Sequence, residues 1–208
     1  MRHDVITLSR EYGAGASELA GLLRQQLGWP ILDEEITQMV AAELGLPHAF
    51  LEEWDEHSPG FLESFGNALR LGSPDMLMDP SYVARPSAPD IVRATRDVVQ
   101  RAADAAPVIL VGHGAQVILQ DRPRTLHLRL VAPPADRCRR VMQRRGGTVQ
   151  QAMSVSQHVD RDRTHYVKEL FGRDLHDPLL YTLQINTGAM TMRDVVALVM
   201  CHLDGTES

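Results

Sequence analysis

Two patterns of apolar positions alternate along the chain: short continuous runs, and longer stretches in which apolar residues recur at helical spacing. The first run covers residues 5–9 and leads into a glycine-containing loop. The stretch after the loop repeats leucine until Gly28 and Pro30 interrupt it, at positions Leu19, Leu22, Leu23 and Leu27. The chain therefore begins with a predicted strand, a loop and a helix.

The same alternation continues toward the C-terminus. Further strands are predicted at residues 30–32, 107–112, 125–131 and 183–185. Further helices are predicted from the acidic residues after position 32 to Leu44, over 91–103, 135–145 and 148–170, and from Met192 onward. The continuous apolar run at 107–112 is typical of a strand that is buried on both faces. This order of elements predicts an α/β protein with a parallel sheet.

One region departs from the alternation. Residues 47–72 suggest two short helices, and residues 73–89 suggest a long irregular segment because they contain Pro74, Pro80, Pro86 and Pro89. A structureless segment of this length within a compact domain usually has a function or is disordered.

Composition narrows the class of protein. The chain has 208 residues, of which 44% are hydrophobic and 23% charged, so it can form one sizeable core. It lacks the run of about 20 apolar residues that spans a bilayer, and it begins with a polar-flanked strand rather than a signal peptide. We therefore expect no membrane association and a cytoplasmic location. Cys138 and Cys201 lie far apart and outside any metal-ligand spacing, so neither a disulfide nor a zinc framework is expected.

Charge points to a small anionic ligand. The net charge of -6 argues against binding to a nucleic acid polymer, which requires clustered positive charge. Positive residues are nevertheless concentrated between Arg122 and Arg145, and nearly all are arginine, because Lys168 is the only lysine in the chain.

The layout of the first strand, loop and helix is that of a phosphate-binding loop. Such a loop gathers backbone N–H groups and the positive end of a helix dipole at one point. Aligned with G-x-x-x-x-G-K-[ST], residues 10–17 place Arg10 at the first glycine, Gly15 at the second, Ala16 at the lysine and Ser17 at the hydroxyl. The loop has therefore lost its lysine.

Two other interpretations of the loop were weighed. Gly13 and Gly15 are followed about 20 residues later by Asp33, as in a dinucleotide-binding turn, but Glu18 occupies the third small-residue position. The residues between strand and glycines also make the loop longer than that turn. A tight turn without any ligand is the third interpretation.

Over nearly its full length the chain resembles the cytidylate kinase-like family of P-loop proteins. The resemblance is carried, in order, by ITLSREYGAGASELAGLL, LGWPILDEEI, VILVGHGAQVIL, RTLHLRLVAPPADRCRRVM and DRDRTHYVKELFGRDLHDPLLYTLQINTGAM followed by TMRDVV. Members of this family carry S-R-[EQ]-Y-G-x-G at the loop, whereas true cytidylate kinases carry G-K-[ST]. The missing lysine is thus a family feature.

The resemblance implies a three-layer P-loop kinase fold with a five-stranded parallel sheet. It implies a single domain over 1–208, with an acceptor-side insertion at 34–90 and a lid at 146–178. The implied activity is transfer of a phosphoryl group from ATP, with Mg²⁺, to a nucleoside monophosphate, CMP being the family-based choice. The alternative is a catalytically weak or inactive protein that binds nucleotides or anions and regulates. Nucleotides are the expected partners, and a homodimer is left open.

Phosphoryl transfer requires positioning and positive charge around the transferred group. The N–H groups expected to bind phosphate are those of Gly13, Ala14, Gly15, Ala16 and Ser17, with the Ser17 hydroxyl facing Mg²⁺. Arg10 is the candidate substitute for the lysine, unless it pairs with Glu11 or Glu18. Arg161 and Arg163 stand where the lid arginines of such kinases lie, unless they pair with Asp160 and Asp162. Two residues apart on one helix, they point in different directions, so one of the two is expected to reach the ligand.

On the acceptor side, Asp33 follows the second strand, where related kinases orient the acceptor nucleotide. It could instead cap the following helix. His113 follows the apolar strand, where the resembling proteins often carry arginine, so binding of the acceptor phosphate there would be weaker or dependent on pH. Arg137 and Arg140 either approach the donor nucleotide or lie on a solvated helix face.

Overall fold

A parallel sheet of five strands forms the centre of the protein. The structure is a computed structural model that describes residues 3–46 and 86–204. The strands are β1 (Val5–Arg10), β2 (Ile31–Leu32), β3 (Val108–Val111), β4 (Thr125–Val131) and β5 (Leu183–Asn186). Their spatial order is β2-β3-β1-β4-β5, and every pairing is parallel. The carboxyl ends of all five strands therefore meet at one edge.

Helices cover both faces of this sheet. In the described part of the chain they are α1 (Ala16–Leu27), α2 (Glu34–Glu43), α3 (Ala88–Asp104), α4 (Ala115–Ile118), α5 (Pro134–Arg145), α6 (Val149–Phe171) and α7 (Met192–Asp204). A single turn of 3-10 helix, Pro178–Leu180, precedes β5. Helices α1 and α7 pack on one face, and α2, α3 and α4 pack on the other. The predicted three-layer α/β architecture is confirmed.

The two cores follow from the alternation of side chains along β1. Ile6 and Leu8 belong to the cluster with α1 and α7, whereas Val5 belongs to the cluster with α2 and α3. Strand β3 is covered on both faces, and all four of its residues are buried, which explains its continuous apolar sequence. It lies in the interior of the sheet, between β2 and β1.

The predicted boundary before α3 was wrong. This helix begins at Ala88, so the last two residues of the predicted irregular segment are helical. Ser87 and Asp90 form a capping box, and Pro89 occupies the first turn, where a missing N–H costs nothing. The proline signal therefore marked a helix start. The two helices predicted at 47–72, and residues 73–85 of the irregular segment, lie outside the described residues.

The order of the strands identifies the edge at which ligands bind in α/β proteins. From β1 the chain moves toward β2, while from β3 it moves in the opposite direction toward β4. Ligands of open α/β sheets bind outside the carboxyl ends of the strands where this direction reverses. In a dinucleotide-binding fold β2 would lie directly beside β1, but here β3 separates them. The dinucleotide interpretation of the loop is therefore wrong.

Across residues 3–46 and 86–204, no helix combines the length and apolar character needed to cross a membrane. Neither Cys138, which is buried, nor Cys201, which is exposed, forms a disulfide within these ranges.

Candidate functional site

The loop between β1 and α1 requires glycine at two positions. Gly13 has φ 81° and Gly15 has φ 92°, both in the left-handed region that favours glycine. A Cβ at Gly13 would also lie 2.8 Å from the backbone oxygen of Arg137. Gly15 occupies the N-cap position of α1. The glycine spacing seen in the sequence thus corresponds to a specific backbone path close to α5.

Every carbonyl group from position 10 to position 15 accepts a hydrogen bond from the protein. The donors, in order along the loop, are Arg163 Nη1 to Arg10 (3.3 Å), Ala14 N to Glu11 (3.1 Å), Arg137 Nη1 to Tyr12 (3.3 Å), Arg140 Nη1 to Gly13 (3.3 Å), Thr187 Oγ1 to Ala14 (2.8 Å) and Leu19 N to Gly15 (3.0 Å). Most of these donors are side chains of α5, α6 and the segment after β5. The acceptor side of the loop is therefore fully satisfied.

The N–H groups of the loop are only partly satisfied by hydrogen bonds within the protein. The Tyr12 N–H donates to Asp160 Oδ1 at 2.7 Å, and the Ala14 N–H closes a turn to the Glu11 carbonyl at 3.1 Å. The N–H groups at positions 13, 15, 16 and 17 donate to no residue within 3–46 or 86–204. Ala14 is thus not an available donor, contrary to the sequence prediction, whereas the other four predicted N–H groups have no acceptor within the described ranges.

Arg10 and Asp33, which were singled out separately, form an ion pair. Arg10 Nη2 lies 3.3 Å from Asp33 Oδ1, and the two side chains are 7% and 23% exposed. The contact passes over the carboxyl end of β3, because β3 lies between β1 and β2. The predicted alternative partners of Arg10 were wrong: Glu11, for example, accepts the Ala132 N–H at 3.1 Å. Asp33 stands at the N-cap of α2, but its side chain makes no capping bond there.

Of Arg161 and Arg163, the arginines predicted to lie in a lid, only Arg163 reaches the loop in the described ranges. Arg163 donates to the Arg10 carbonyl, and its guanidinium lies 5.9 Å from the centre of the Tyr12 ring. Arg161 is exposed and makes no hydrogen bond or ion pair with any residue of the described ranges. The predicted pairing of Arg161 with its acidic neighbours was wrong, because Asp160 points its carboxylate at the loop and at α5.

Sequence reasoning did not identify the residues that hold this loop in place. Arg137, whose side chain is 11% exposed, donates to Asp160 and lies 3.5 Å from Glu11 Oε2 through its Nε. Arg140 donates to Thr187 at both Oγ1 (2.8 Å) and the backbone oxygen (2.6 Å). Of the two alternatives predicted for these arginines, the solvated helix face is wrong, because both donate to carbonyl groups of the loop. The available signal was their helical spacing with the buried residues of α5.

His113 lies at the same edge of the sheet, in an unusual backbone conformation. Three consecutive residues, Gly112, His113 and Gly114, have φ of 79°, 54° and 70°. Positive φ is uncommon for a residue other than glycine and often marks a functional site. The Gly112 N–H donates to the Leu8 carbonyl at 3.1 Å, which keeps this turn beside β1. His113 therefore shares the carboxyl edge with Arg10.

Ser17, the predicted Mg²⁺ ligand, is the second residue of α1 and is exposed. The described ranges contain no cluster of three or more His, Cys, Asp or Glu side chains that could hold a metal ion.

Polar side chains also lie between β1 and β4, further from the edge. His127 Nδ1 lies 2.7 Å from Thr7 Oγ1, and burial lowers the pKa of His127 below its ordinary value. Arg129 is 2% exposed, and its guanidinium contacts only neutral groups in the described ranges, including Ser9 Oγ at 3.4 Å and Tyr181 Oη at 3.2 Å. This interior network contains no carboxylate.

Solved structures with the same fold include kinases. An uncharacterized protein from Eubacterium ventriosum is 16% identical with a TM-score of 0.68, over 98% of this chain and 99% of that one. Shikimate kinase from Acinetobacter baumannii, in complex with shikimate, is 15% identical with a TM-score of 0.53, over 99% and 96%. Shikimate kinase from Bacteroides thetaiotaomicron is 14% identical with a TM-score of 0.51, over 97% and 98%. At these identities the similarity establishes the fold alone.

A curated relative shares a different kind of similarity. The uronate isomerase of Corynebacterium glutamicum is 32% identical over 110 residues, which are 51% of this chain and 20% of that protein. The chain therefore spans about a fifth of the length of this curated relative.

The sequence model of the cytidylate kinase-like family matches residues 5–189, which include the loop, the ion pair at the sheet edge and the helix that carries Arg163. The parallel sheet in the order β2-β3-β1-β4-β5 and the kinases of the same fold agree with this match. The chain belongs to the cytidylate kinase-like family.

Proposed function

We propose that the protein transfers a phosphoryl group from ATP to a nucleoside monophosphate, with CMP as the acceptor suggested by its family. The observation that carries the proposal is the pattern of hydrogen bonds in the loop. All carbonyl groups from position 10 to 15 are satisfied internally, whereas four N–H groups at the start of α1 have no acceptor in the described ranges. Such an arrangement favours a phosphate over a cation.

Arg10 is proposed to supply the positive charge that the missing lysine would provide. Its guanidinium is already at the sheet edge beside the loop, where it pairs with Asp33. The planar fork of arginine suits the oxygens of a phosphate, and a phosphate carries more charge than one carboxylate. Arg163 lies next to the same backbone and adds a second positive charge. Arg161 and Arg163 were both proposed as catalytic residues, and the geometry favours Arg163.

ATP with Mg²⁺ would supply the phosphoryl group and neutralise charge on the phosphate oxygens. The residues present fit such a complex, because Mg²⁺ at kinase sites takes most of its ligands from phosphate and water. The Ser17 hydroxyl is exposed at the first turn of α1 and is the protein oxygen proposed to contact the ion. The open N–H groups at positions 13, 15, 16 and 17 would hold the donor phosphates.

The acceptor is proposed to bind beside β2 and β3. Asp33 and His113 follow the carboxyl ends of these two strands. With Arg10 engaged by phosphate, the Asp33 carboxylate would be released to orient the acceptor. Residues 34–90 are proposed as the acceptor-side insertion and residues 146–178 as the lid, since the latter include α6 with Arg163.

A coupled assay across the nucleoside monophosphates, with ATP and Mg²⁺, tests the proposal directly. We expect turnover with at least one of them, a loss of about 100-fold in Arg10→Gln, and little change in Arg24→Gln, a matched exposed arginine on α1. Binding of nucleotide without transfer to any monophosphate at millimolar concentration would contradict the kinase assignment.

The second candidate is a catalytically weak or inactive protein that binds nucleotides or anions and regulates. It is favoured by Ala16 at the lysine position and by the ion pair that holds Arg10. In that case Ala16→Lys should strengthen nucleotide binding or create activity. Calorimetry that detects no nucleotide binding to the unmodified chain would contradict both candidates.

A further inference from the structure

A cavity lies beside α6, next to the loop between β1 and α1, with which it shares contact through Asp160. Its volume is about 560 Å³, and it is open to solvent. The side chains that line it are Asp160, Arg161, Thr164, His165, Lys168 and His176. It brings together the lid arginine that does not reach the loop and the only lysine in the chain.

The positive charges of this cavity are not neutralised by neighbouring acids. Neither Arg161 nor Lys168 makes a hydrogen bond or an ion pair with any residue in the described ranges. Asp160 is the one acid in the lining, and its two carboxylate oxygens already accept from the Tyr12 N–H and from Arg137. Two further acids contact lining residues: Asp174 Oδ1 accepts the His176 N–H at 2.9 Å, and Glu169 lies 4.0 Å from His165.

A buried arginine adds to the positive potential from behind the wall of the cavity. Arg129 Nη2 lies 3.1 Å from His176 Nδ1, so this nitrogen acts as the acceptor and the proton of the ring resides on Nε2. His176 Nε2 then donates to Thr164 Oγ1 at 3.2 Å, and that hydroxyl donates to the Asp160 carbonyl at 2.9 Å. The described residues around Arg129 include no carboxylate partner, so its charge is not cancelled.

We propose that this cavity binds the phosphate group of a small metabolite at a site distinct from the β1–α1 loop. Arg161 and Lys168 have no ion-pair partner in the described ranges, so they give the cavity a local positive potential that attracts an anion. Arginine offers a fork that matches phosphate oxygens, and lysine offers a mobile point charge. The open cavity has room for a phosphorylated small molecule, whereas the net charge of -6 disfavours a long polyanion.

The single lysine provides a probe that reports on this cavity alone. Reductive methylation with ¹³C-formaldehyde labels only the Lys168 amine and the N-terminal amine of the full chain, and both keep their charge. We expect the Lys168 dimethyl signal to shift saturably when inorganic phosphate is added at millimolar concentration. Potassium chloride of equal ionic strength should not reproduce the shift, and the N-terminal signal serves as the internal reference.

Two matched variants on α6 distinguish this cavity from the loop. Arg161→Gln should weaken the phosphate titration at Lys168 by about tenfold, the loss expected for one charged contact. Arg163→Gln removes the arginine that contacts the loop and should leave the Lys168 titration unchanged. Arg161 and Lys168 are exposed, so the first substitution does not threaten folding.

Several outcomes would overturn the proposal. A shift that chloride reproduces, or a titration that Arg161→Gln leaves unchanged, would show that the cavity does not select phosphate. A Lys168 titration that is lost in Arg163→Gln would place the anion at the loop instead. The outcome is independent of the kinase assay, because phosphate binding at Lys168 is measured without ATP or an acceptor.

Discussion

Two polar networks beside the sheet each surround a buried arginine, and they differ in the charge of the groups that contact its guanidinium. At the carboxyl edge, Arg137 is bound by carboxylates, Asp160 and Glu11, which link α5 and α6 to the loop. On β4, the more deeply buried Arg129 is contacted by a serine, a tyrosine and a histidine. Charged partners therefore hold the loop, while neutral partners occupy the interior of the sheet.

The difference predicts how much stability the protein loses when the arginine of each network is removed. Removal of one member of a buried ion pair leaves an uncompensated charge, whereas removal of an arginine from neutral partners leaves groups that cost less to desolvate. The loop should thus be the more sensitive network, although its arginine is slightly more exposed.

The same substitution in both networks should have the largest and most unequal effect. Arg137→Met leaves the Asp160 and Glu11 carboxylates without their shared cation, and should lower the free energy of unfolding by about 3 kcal/mol. Arg129→Met leaves only neutral groups, one of which, Tyr181, still donates to the Leu175 carbonyl, and should cost about 1 kcal/mol. Urea denaturation of both variants measures the difference.

A restored balance of charge provides the control. Asp160→Asn in the Arg137→Met background removes one of the two stranded carboxylates and should recover part of the lost stability. Equal losses in Arg137→Met and Arg129→Met would contradict the distinction between the two networks.

Arg10 belongs to the charged network but should affect the reaction more than the fold. Its partner, Asp33, is 23% exposed and can be solvated when the pair is broken. Arg10→Met should therefore lower the rate of the proposed phosphoryl transfer by about 100-fold. Its cost in unfolding free energy should be about 1 kcal/mol. Steady-state kinetics and urea denaturation of the same preparation separate the two effects.

A stability loss comparable to that of Arg137→Met, together with an unchanged rate, would identify Arg10 as a structural residue. Arg10→Lys sharpens the test. It keeps one charge and loses the fork, so partial recovery of the rate would favour contact with phosphate over packing.

Thr187 links the loop to the end of β5 by neutral hydrogen bonds. Its buried hydroxyl donates to the Ala14 carbonyl at 2.8 Å and accepts from Arg140 at the same distance. Thr187→Val preserves the shape of the side chain and should cost about 1–2 kcal/mol in unfolding free energy. Thr182→Val, at an exposed residue whose hydroxyl accepts the His127 N–H at 3.2 Å, should cost less. A Thr187→Val protein as stable as the parent would show that the Arg140 side chain alone holds this part of the loop.

The elements of the sheet could be predicted because their signals are local. The apolar runs placed every strand to within one or two residues, and the requirement for left-handed backbone at Gly13 and Gly15 is visible in the glycine spacing. The start of α3 was missed for a local reason too, since a proline in the first turn of a helix resembles a proline in a loop.

The contacts that hold the loop could not be predicted, because they join residues that are distant in sequence and meet only in the folded chain. Asp160 binds Tyr12 across 148 positions and Arg137 across 23, and only the fold of α6 across the loop brings them together. Arg10 and Asp33 were each identified from local position, but their contact requires β3 to be inserted between β1 and β2. Sequence therefore gave the candidates, and topology gave the partners.

The smallest expected effect concerns His127 of the neutral network, which should make stability depend gradually on pH. Burial is the main reason that the pKa of His127 lies below 6.5, and the charge of His3 lowers it further, while a hydrogen bond with the Leu119 backbone opposes the shift. The unfolded chain therefore takes up a proton at this histidine at a higher pH than the folded protein does. Stability from this group is complete above pH 6.5 and decreases as the pH falls below 6.5 toward the lowered pKa of the folded state.

Urea denaturation from about pH 8 to about pH 5, the range in which histidine side chains change charge, measures this slope. In His127→Gln the contribution of this histidine disappears, so the decrease below pH 6.5 should become shallower, although Gln should lower stability at every pH by disturbing the bond to Thr7. His165→Gln, at an exposed position on α6, should keep the slope of the parent. If the His127→Gln and parent proteins lose stability in parallel, the acid sensitivity comes from groups other than His127, and the neutral network does not limit stability at low pH.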